Sequence, residues 1–334
     1  MRPQRVHEYR IASGRTGPGS GPRRGQNDTM RAVFVDANAT LGAIARRLQA
    51  DAPVPFELAF GEPGVAPDAL PALLDGAAVA VIDHTALPIE VARACRGLRH
   101  VVFLGTGARS YMDPEALATI GVAVHTIKGY GDTAVAECAI GLLWAAARGF
   151  AAMDRAMRAG AWERTEGVQL TGKTLGLIGF GGIAAETARL ALGCGLRVLA
   201  WNRTAKAHPG VSFVPIEHLL ADSDAVSLHL VLCDETRGFL SRARIAAMRP
   251  GAILVNTARG ALVDEVALID ALRSGRLRHA ALDVFEVEPL PRDHPLAGLA
   301  NVTLSAHSAF RTAEANQRLV QAAFEHLRRI AAPA

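Results

Sequence analysis

The sequence predicts an α/β protein with two doubly wound parallel sheets and a cleft between them. From Met30 onward, short runs rich in β-branched residues alternate with longer Ala/Leu/Arg stretches of helical period, the pattern of parallel α/β layers. The runs fall into two series, and the second series opens on a glycine-rich turn. A chain of 334 residues has the length for two domains of ordinary size.

The strands expected in each series can be placed from these runs. The first series contains five: Ala32–Asp36, Phe56–Phe60, Val79–Asp83, His100–Leu104 and Val122–His125. The second series contains six: Thr174–Phe180, Arg197–Trp201, Ala225–Leu230, Ala252–Asn256, Ala280–Phe285 and Val302–Ser305. Six strands with helical connections are typical of a nucleotide-binding sheet.

Two helical stretches set the expected domain boundaries. Thr133–Phe150 places apolar residues at i, i+3, i+4 and i+7, as expected of a helix that joins two domains and buries one face. Thr312–Ile330 follows the completed second series, so we expect it to cross back to the first domain. The expected units are a discontinuous, flavodoxin-like substrate domain over 30–128 and 308–334, and a Rossmann-like dinucleotide-binding domain over 129–307.

The positive charge of the chain is concentrated in one segment. The formal net charge is +4, and residues 1–29 alone hold six arginines against Glu8 and Asp28. The remainder is therefore neutral, which disfavours a nucleic-acid partner because nucleic-acid binders concentrate Lys and Arg on the folded surface. The Gly/Pro/Ser/Arg composition of 1–29 predicts a disordered tail.

Membrane and metal-binding classes are also disfavoured. Uninterrupted apolar or glycine runs such as Cys138–Ala147 are far shorter than the ~18 residues that a membrane span requires. The four cysteines are widely spaced, without a CxxC pair or a nearby histidine spacing that suggests a metal. We expect a cytoplasmic protein with free, buried thiols, no membrane partner and no metal.

The glycine-rich turn carries the first functional signal. Leu175–Ala184 reads LGLIGFGGIA, an apolar strand followed by GxGxxA and a helix-compatible stretch. Gly179 permits the tight turn, Gly181 lets the backbone approach a pyrophosphate, and the small Ala184 lets the helix pack on the strand. The helix N-terminus offers free N–H groups to the phosphates.

The residues after the next strand bear on the choice of cofactor. About 20 residues beyond the glycine turn, an NAD-specific site places Asp or Glu on the ribose hydroxyls, whereas this chain has Asn202, Arg203 and Thr204, with Lys206 nearby. A carboxylate would repel a 2′-phosphate, while Arg203 can bind one in bidentate fashion. The sequence therefore favours NADP(H) over NAD(H); the alternative is an Arg203 that is merely solvated.

Three polar residues follow three successive strands of the second series. Arg259 lies in NTARGALVDE, Glu288 in ALDVFEVEPL and His307 in LSAHSAF. Because ligands of doubly wound sheets bind at the carboxyl ends of the strands, we expect these side chains to converge. Arg259 would hold a carboxylate and polarise a carbonyl, His307 would exchange a proton with the carbonyl oxygen, and Glu288 would orient the imidazole and favour its protonated form.

Each residue also has a structural reading. Arg259 could form a salt bridge, Glu288 could cap a Pro-flanked turn, and His307 is one of eleven histidines, most of which should be surface or packing residues. The combination of three suitable residue types at three successive strand ends favours the chemical reading. His229, which closes a strand, is the runner-up histidine.

The same segments resemble the D-isomer-specific 2-hydroxyacid dehydrogenases. The resemblance lies in LTGKTLGLIGFGGIA, DAVSLHLVLCDETRGFL, MRPGAILVNTARGALVDEVALIDAL, AALDVFEVEPLP and LSAHSAF, and glyoxylate/hydroxypyruvate reductase-like members are the most similar. It implies a two-domain enzyme, usually a homodimer, with Arg259, Glu288 and His307 as the catalytic trio. It also implies the following contacts: Gly182, Ile183, Thr257, Ala258 and Asp283 with the cofactor, and Thr106 and Gly107 with the substrate carboxylate.

Some positions depart from the family pattern without removing a reacting group. Ala306 stands where a Pro often precedes the catalytic His, His229-Leu230-Val231 replaces a His-x-Pro motif, and Ala184 replaces a glycine. Two short segments, Ser308-Ala309-Phe310 and His84-Thr85, could shape the choice of substrate.

Two functions from different classes fit these residues. The first is an NADP(H)-dependent reductase of small 2-keto acids that yields (R)-2-hydroxy acids, with the small acid as partner. The alternative is a cofactor-sensing binding protein or corepressor on the same scaffold. The intact trio favours the enzyme, because a sensor needs the glycine turn but no proton donor.

Overall fold

The computed structural model describes residues 30–332, which fold around two parallel sheets. The tail expected over 1–29, and residues 333 and 334, lie outside the described residues. All the strands within each sheet pair in parallel. The predicted fold class, two Rossmann-like parallel-sheet units, is confirmed.

The first sheet has five strands in the order β2-β1-β3-β4-β5, which is the flavodoxin-like order. Their bounds are β1 Arg31–Phe34, β2 Glu57–Phe60, β3 Ala77–Ile82, β4 His100–Phe103 and β5 Ala123–Thr126. The central strands are nearly continuous runs of buried residues, as expected of a sheet covered on both faces.

Five helices belong to this sheet, and one of them comes from the end of the chain. They are α1 Ala39–Asp51, α2 Leu70–Leu73, α3 Ile89–Ala94, α4 Pro114–Thr119 and α12 Ala313–Ala331. Helix α12 packs Leu319, Phe324 and Leu327 into the same core as Phe34 of β1. The last helix of the chain thus packs on the first sheet.

The second sheet has seven strands rather than the six expected, in the order β12-β11-β10-β9-β6-β7-β8. Their bounds are β6 Thr174–Ile178, β7 Arg197–Trp201, β8 Val211–Phe213, β9 Ala225–Leu228, β10 Ala252–Asn256, β11 Leu277–Leu282 and β12 Val302–Leu304. The order is that of a dinucleotide-binding sheet, extended by one strand at β12. The strand missed was β8, a three-residue edge strand.

The helices around the second sheet include the connection between the two sheets. They are α5 Asp132–Arg148, α6 Phe150–Arg158, α7 Gly182–Gly193, α8 Ile216–Asp222, α9 Arg242–Ala247, α10 Glu265–Arg273 and α11 Pro295–Gly298. The predicted helix over Thr133–Phe150 breaks at Gly149, whose φ of +66° ends α5, because glycine adopts the left-handed conformation without strain. Helix α5 buries its small-residue face against α7 and the second sheet.

The cysteines are free, as expected, but they are less buried than the sequence suggested. Cys95 is buried, Cys138 and Cys233 are half-buried, and Cys194 is exposed. Cys194 follows the last turn of α7, where the chain turns back at the surface toward β7. An apolar neighbourhood in the sequence therefore did not guarantee burial at the end of a helix.

No single helix in the described part of the chain is a candidate membrane span, and no metal cluster is found there. Across residues 30–332, no single helix combines the length and apolar composition of a membrane span. Helices α5 and α6 meet these two criteria only when they are taken together, and they are bent by 66° at their junction. Within the same residues, no three side chains of the metal-ligating types are grouped so as to hold an ion.

Buried His279 in β11 makes the stability of the fold depend on pH. Its ring bonds Thr303 Oγ1 at 2.9 Å, and burial lowers the pKa of His279 to about 4. Because the pKa of histidine in the unfolded chain is about 6.5, the unfolded state binds the proton more readily. The contribution of neutral His279 to the free energy of unfolding is therefore complete above about pH 6.5, and it is lost as the pH falls toward the folded-state pKa.

We predict that His279→Gln, which retains a hydrogen-bonding group, flattens the acid side of the stability curve. Urea unfolding of both proteins between about pH 5 and about pH 8 measures this, and the wild type should lose about 1 kcal/mol more than the variant by about pH 5.5. Equal losses in the two proteins would contradict the prediction.

Candidate active site

A cavity lies where the carboxyl ends of the two sheets face each other. Its volume is about 330 Å³, and its lining includes segments that follow β3, β4, β5, β9, β10, β11 and β12. The lining includes Arg259 and His307 from the second sheet and Thr106 and Gly107 from the first. Residues that are far apart along the chain therefore meet at one cavity, because parallel strands present their carboxyl ends at the same edge.

His307 reaches the cavity from the segment that follows β12. Its ring Nδ1 lies 2.6 Å from Glu288 Oε2, and both side chains are about one third exposed or less. The other oxygen of Glu288, Oε1, accepts the N–H of Phe285 at 2.9 Å. The carboxylate is thus fixed to the backbone on one side and fixes the imidazole on the other.

The buried carboxylate of Asp283 holds the backbone that carries His307. Asp283 is 0% exposed; its Oδ1 and Oδ2 accept the N–H groups of Ser308 and Ala309 at 3.0 and 2.9 Å. Its carbonyl oxygen accepts the N–H of His307 at 2.7 Å. His307 has a φ of +48°, an uncommon value for a residue with a side chain, and these three hydrogen bonds stabilise it.

Arg259 is positioned by a buried asparagine at the end of β10. Asn256 donates from Nδ2 to the carbonyl of Arg259 at 2.9 Å and accepts the N–H of Ala258 on Oδ1 at 3.0 Å. The guanidinium donates from Nη1 to the carbonyl of Ala258 at 2.6 Å. Nη2 faces the first sheet, where it lies so close to Gly107 that no Cβ would fit between them.

The glycine turn follows β6 and leads into α7. Gly179 has a φ of +87°, and a Cβ there would lie 2.7 Å from the carbonyl oxygen of His229. Ala184 is completely buried where α7 packs against the sheet. A Cβ on Gly182 would collide with the carboxylate of Asp132. Gly179 is therefore required by its positive φ and by the close approach of backbone, a Cβ on Gly182 would displace the carboxylate of Asp132, and a Cβ on Gly181 would meet no atom within 4 Å.

At the end of β7, the predicted 2′-phosphate residues have different roles. Asn202 Oδ1 accepts the N–H of Phe180 at 3.0 Å, and its Nδ2 donates to the carbonyl of Thr204 at 2.8 Å. Lys206 Nζ donates to the carbonyl of Phe180 at 2.5 Å. Asn202 and Lys206 thus both bond the backbone of the glycine turn at Phe180, while Arg203 is exposed beside them.

Two features of the site fit a dinucleotide. Thr257 is 8% exposed, and its Oγ1 is buried without a hydrogen-bond partner among the described residues. Because an unpaired buried hydroxyl costs about 1–3 kcal/mol, its place in the cavity lining suits a ligand that bonds it. The open space beside Gly181, next to the N-terminus of α7, suits a pyrophosphate.

His229, the runner-up histidine, lacks the properties of a proton donor. Its Nε2 lies 2.9 Å from Ser227 Oγ, and desolvation lowers the pKa of His229 to about 4. The ring is therefore neutral near pH 7 and holds no acidic proton to transfer. His229 lines the cavity but serves as a packing residue at the end of β9.

The predicted site residues divide into two groups. Those that line the cavity are Thr106, Gly107, Ile183, Thr257, Ala258, Arg259, Asp283 and His307. The others lie beside it, around the N-terminus of α7 and the ends of β7 and β11: Gly179, Gly181, Gly182, Asn202, Arg203, Thr204 and Glu288. All of them are at the carboxyl edge of the second sheet, except Thr106 and Gly107, which follow β4.

Sequence reasoning missed several polar side chains of the cavity. Tyr111, Tyr130 and Asp132 all line it; burial raises the pKa of Tyr130 to about 12, and burial also raises the pKa of Asp132. They come from irregular segments or the first turn of α5, so no periodic pattern marks them. Their position directly after β4 and β5 was the available signal.

Two parallel sheets, a glycine turn and an Arg, Glu and His set around one cavity are the features of a nucleotide-dependent dehydrogenase. Residues 140–309 match the family model described as D-isomer specific 2-hydroxyacid dehydrogenase, NAD binding domain. The chain therefore belongs to the D-isomer specific 2-hydroxyacid dehydrogenase family, and it is an oxidoreductase that uses a nicotinamide cofactor.

Individual relatives agree with this assignment. A glyoxylate reductase of Aeropyrum pernix is 39% identical over 229 residues, which cover 65% of this chain and 68% of the relative. A hydroxypyruvate reductase of Thermotoga maritima is 38% identical over 254 residues, covering 73% and 82%. An acyclic imino acid reductase solved with NADPH and D-Arg matches with a TM-score of 0.79 and 26% identity, covering 87% of this chain and 94% of that one.

Proposed function

We propose that the protein reduces small 2-keto acids to (R)-2-hydroxy acids in the cavity between its two sheets. The observation that supports this most strongly is the 2.6 Å contact between His307 Nδ1 and Glu288 Oε2, in a cavity that also receives Arg259. Reduction of a keto group requires a hydride at carbon and a proton at oxygen, and this site contains a group suited to deliver the proton.

His307 is the proton donor in this proposal. Its Nδ1 is committed to Glu288, so Nε2 exchanges the proton with the substrate oxygen. Glu288 keeps the ring in one orientation and stabilises the positive charge when the ring is protonated. In the reverse reaction the same nitrogen accepts the proton from the hydroxyl group.

Arg259 and the segment after β4 bind the substrate carboxylate. A guanidinium binds a carboxylate through two parallel hydrogen bonds, and Arg259 Nη2 already faces Gly107. The backbone N–H groups around Thr106 and Gly107 add donors from the first sheet. Because the carboxylate is held from both sheets, binding brings the keto group to His307.

The nicotinamide cofactor supplies the hydride when it is bound. We assign its pyrophosphate to Gly181, Gly182 and the N-terminus of α7, with Ile183, Thr257, Ala258 and Asp283 along the path toward the cavity. The alternative function, a cofactor sensor without turnover, would not require the His307–Glu288 contact.

We predict that His307→Ala lowers kcat/KM for glyoxylate or hydroxypyruvate at least ~100-fold, because general acid catalysis contributes about that much or more. Binding of the cofactor, followed by fluorescence titration, should be unchanged. Glu288→Gln should cause a smaller loss, since the ring keeps a hydrogen-bond partner.

His294 is a matched control, because its Nε2 lies 3.0 Å from Glu265 Oε1 outside the cavity. His294→Ala should leave turnover unchanged. If His307→Ala kept full turnover, His307 would have no place in the mechanism, and cofactor binding without any turnover in the wild type would favour the sensor.

We further propose that NADP(H) is preferred over NAD(H). The residues directly after β7, Asn202, Arg203 and Thr204, carry no carboxylate. Asn202 bonds the glycine turn, and Arg203 is exposed beside it, with Glu235 within electrostatic range of its guanidinium. A 2′-phosphate placed there would meet a guanidinium, with Lys206 close by. The neighbour solved with NADPH is a protein of this fold that binds that cofactor.

We predict that NADPH is used with higher kcat/KM than NADH, and that Arg203→Gln weakens NADPH binding about tenfold while leaving NADH binding nearly unchanged. Dissociation constants from fluorescence titration, measured with both cofactors, test this. At least tenfold better use of NADH by the wild type would overturn the preference.

We also propose the domain division expected from the sequence, with 30–128 and 308–334 as the substrate domain and 129–307 as the cofactor domain. The membership of the two sheets and the packing of α12 on the first support it.

We also propose that the protein is a homodimer. The exposed apolar side chains of Phe150, Met157 and Trp162, which are 51%, 52% and 74% exposed, favour a surface that a second copy covers.

We predict that sedimentation equilibrium gives twice the monomer mass, and that Trp162→Asp together with Met157→Lys shifts the protein toward the monomer. These changes place charges on the apolar surface at α6. A wild-type protein that sediments as a monomer at micromolar concentration would contradict the dimer.

A further inference from the structure

A second polar pair faces the cavity from the first sheet. Asp83-His84-Thr85 follows β3, and both Asp83 and His84 line the cavity. His84 Nδ1 lies 2.8 Å from Asp83 Oδ2, and the two side chains are 53% and 9% exposed. The proposed reaction does not use this pair, because the carboxylate and the keto group of the substrate are met by Arg259 and His307.

The segment that carries His84 is held rigidly. The carboxylate of Asp36, which is 6% exposed, accepts the N–H groups of Asp83, His84 and Thr85 at 2.8, 3.3 and 3.4 Å. It also accepts the hydroxyl of Thr85 at 2.5 Å. One buried carboxylate thus fixes three successive residues, so the position of His84 at the cavity wall is set before any ligand binds.

His84 lines the cavity, and one nitrogen of its ring is not paired with Asp83. Its Nδ1 is committed to Asp83, and its Nε2 has no hydrogen-bond partner among the described residues. The ring stands edge-on to Tyr111, with centroids 5.5 Å apart and planes at 84°. Tyr111 lies near Arg259, whose charge lowers the pKa of Tyr111 against the larger rise caused by burial. Tyr111 and Arg259 line the same cavity as His84.

We infer that His84 is a specificity-determining residue that binds an oxygen atom on the side chain of the 2-keto acid. This inference rests on the proposed function and names the substrate class within it: 2-keto acids with a hydroxyl or carboxylate group beyond the keto carbon, in preference to alkyl 2-keto acids of the same size. Arg259 takes the first carboxylate, and His84 Nε2 takes the second oxygen group.

The charged groups around His84 set its protonation. The hydrogen bond to Asp83 raises the pKa of His84, burial opposes this, the charges of Asp83 and Asp36 raise it further and Arg311 lowers it. Tyr111, whose phenol also titrates, packs edge-on against the ring. In the protonated ring both nitrogens donate, so Nε2–H binds a hydroxyl or a carboxylate oxygen. In the neutral ring Nδ1–H still donates to Asp83, and Nε2 can only accept.

The two oxygen groups therefore differ in their dependence on pH. A hydroxyl can accept from the protonated ring and donate to the neutral one, so it stays bound on both sides of the pKa. A carboxylate can only accept, so it loses its bond, and faces a lone pair, once the ring is neutral. Preference for a carboxylate side chain should fall as the pH rises through the raised pKa of His84, while preference for a hydroxyl persists.

The experiment compares kcat/KM within two pairs of matched shape. Hydroxypyruvate is paired with 2-oxobutyrate, and oxaloacetate is paired with 4-methyl-2-oxopentanoate. We expect the wild type to prefer the oxygenated member at least tenfold in both pairs at about pH 6, and to lose only the second preference by about pH 9. His84→Leu should lower both ratios at least tenfold. His84→Gln, which keeps a neutral N–H donor, should retain more of the hydroxyl preference than His84→Leu.

The matched control is His218, whose Nε2 lies 2.6 Å from Asp222 on an exposed surface away from the cavity. His218→Leu should leave both ratios unchanged, and thermal unfolding confirms that each variant is folded. Ratios near one in the wild type, or ratios that His84→Leu does not change, would overturn the inference while the proposed reductase function stands. A wild type that reduces none of the four acids would overturn both the inference about His84 and the proposed reductase function.

Discussion

The geometry of the site depends on the buried carboxylate of Asp283. Both of its side-chain oxygens and its carbonyl oxygen accept N–H groups from three consecutive residues, His307, Ser308 and Ala309. This is the point where the chain leaves the second sheet and returns to the first through α12. The same contacts therefore fix the left-handed backbone of His307 and the path of the chain between the two sheets. A proton donor placed there keeps its position relative to Glu288 and to the cavity.

Much of the fold follows from the sequence because most of its strands are buried. The runs predicted for β6, β9 and β10 match the observed strands closely, since strands buried on both faces read as continuous apolar segments. The three-residue strand β8 was missed because an edge strand of that length carries almost no periodic signal. The helix predicted to continue to Phe150 ends at Gly149. The prediction ran too far because the apolar pattern persists across the break, and only the backbone conformation of glycine marks the end of α5.

The candidate site was predictable where it lies on strand ends and much less so where it lies in irregular segments. Arg259, Glu288 and His307 follow regular strands, and a parallel sheet brings such ends together. Asn202 was expected at the cofactor ribose, but its amide bonds the backbone of the glycine turn and of Thr204, a role that no spacing rule contains. His84 could be marked only as a residue that affects substrate choice, because its pairing with Asp83 and its anchoring by Asp36 depend on tertiary contacts.

In the proposed reaction, Arg259 and His307 act on one small molecule held between the two sheets. A crystal structure of the protein with NADPH and oxamate, an unreactive 2-keto acid analogue, would show whether they do. We expect the oxamate carboxylate to lie on the guanidinium of Arg259 and its amide carbonyl oxygen to lie within about 3 Å of His307 Nε2, with Nδ1 still bonded to Glu288. Oxamate bound away from Arg259, or an imidazole turned out of the cavity, would refute this mechanism.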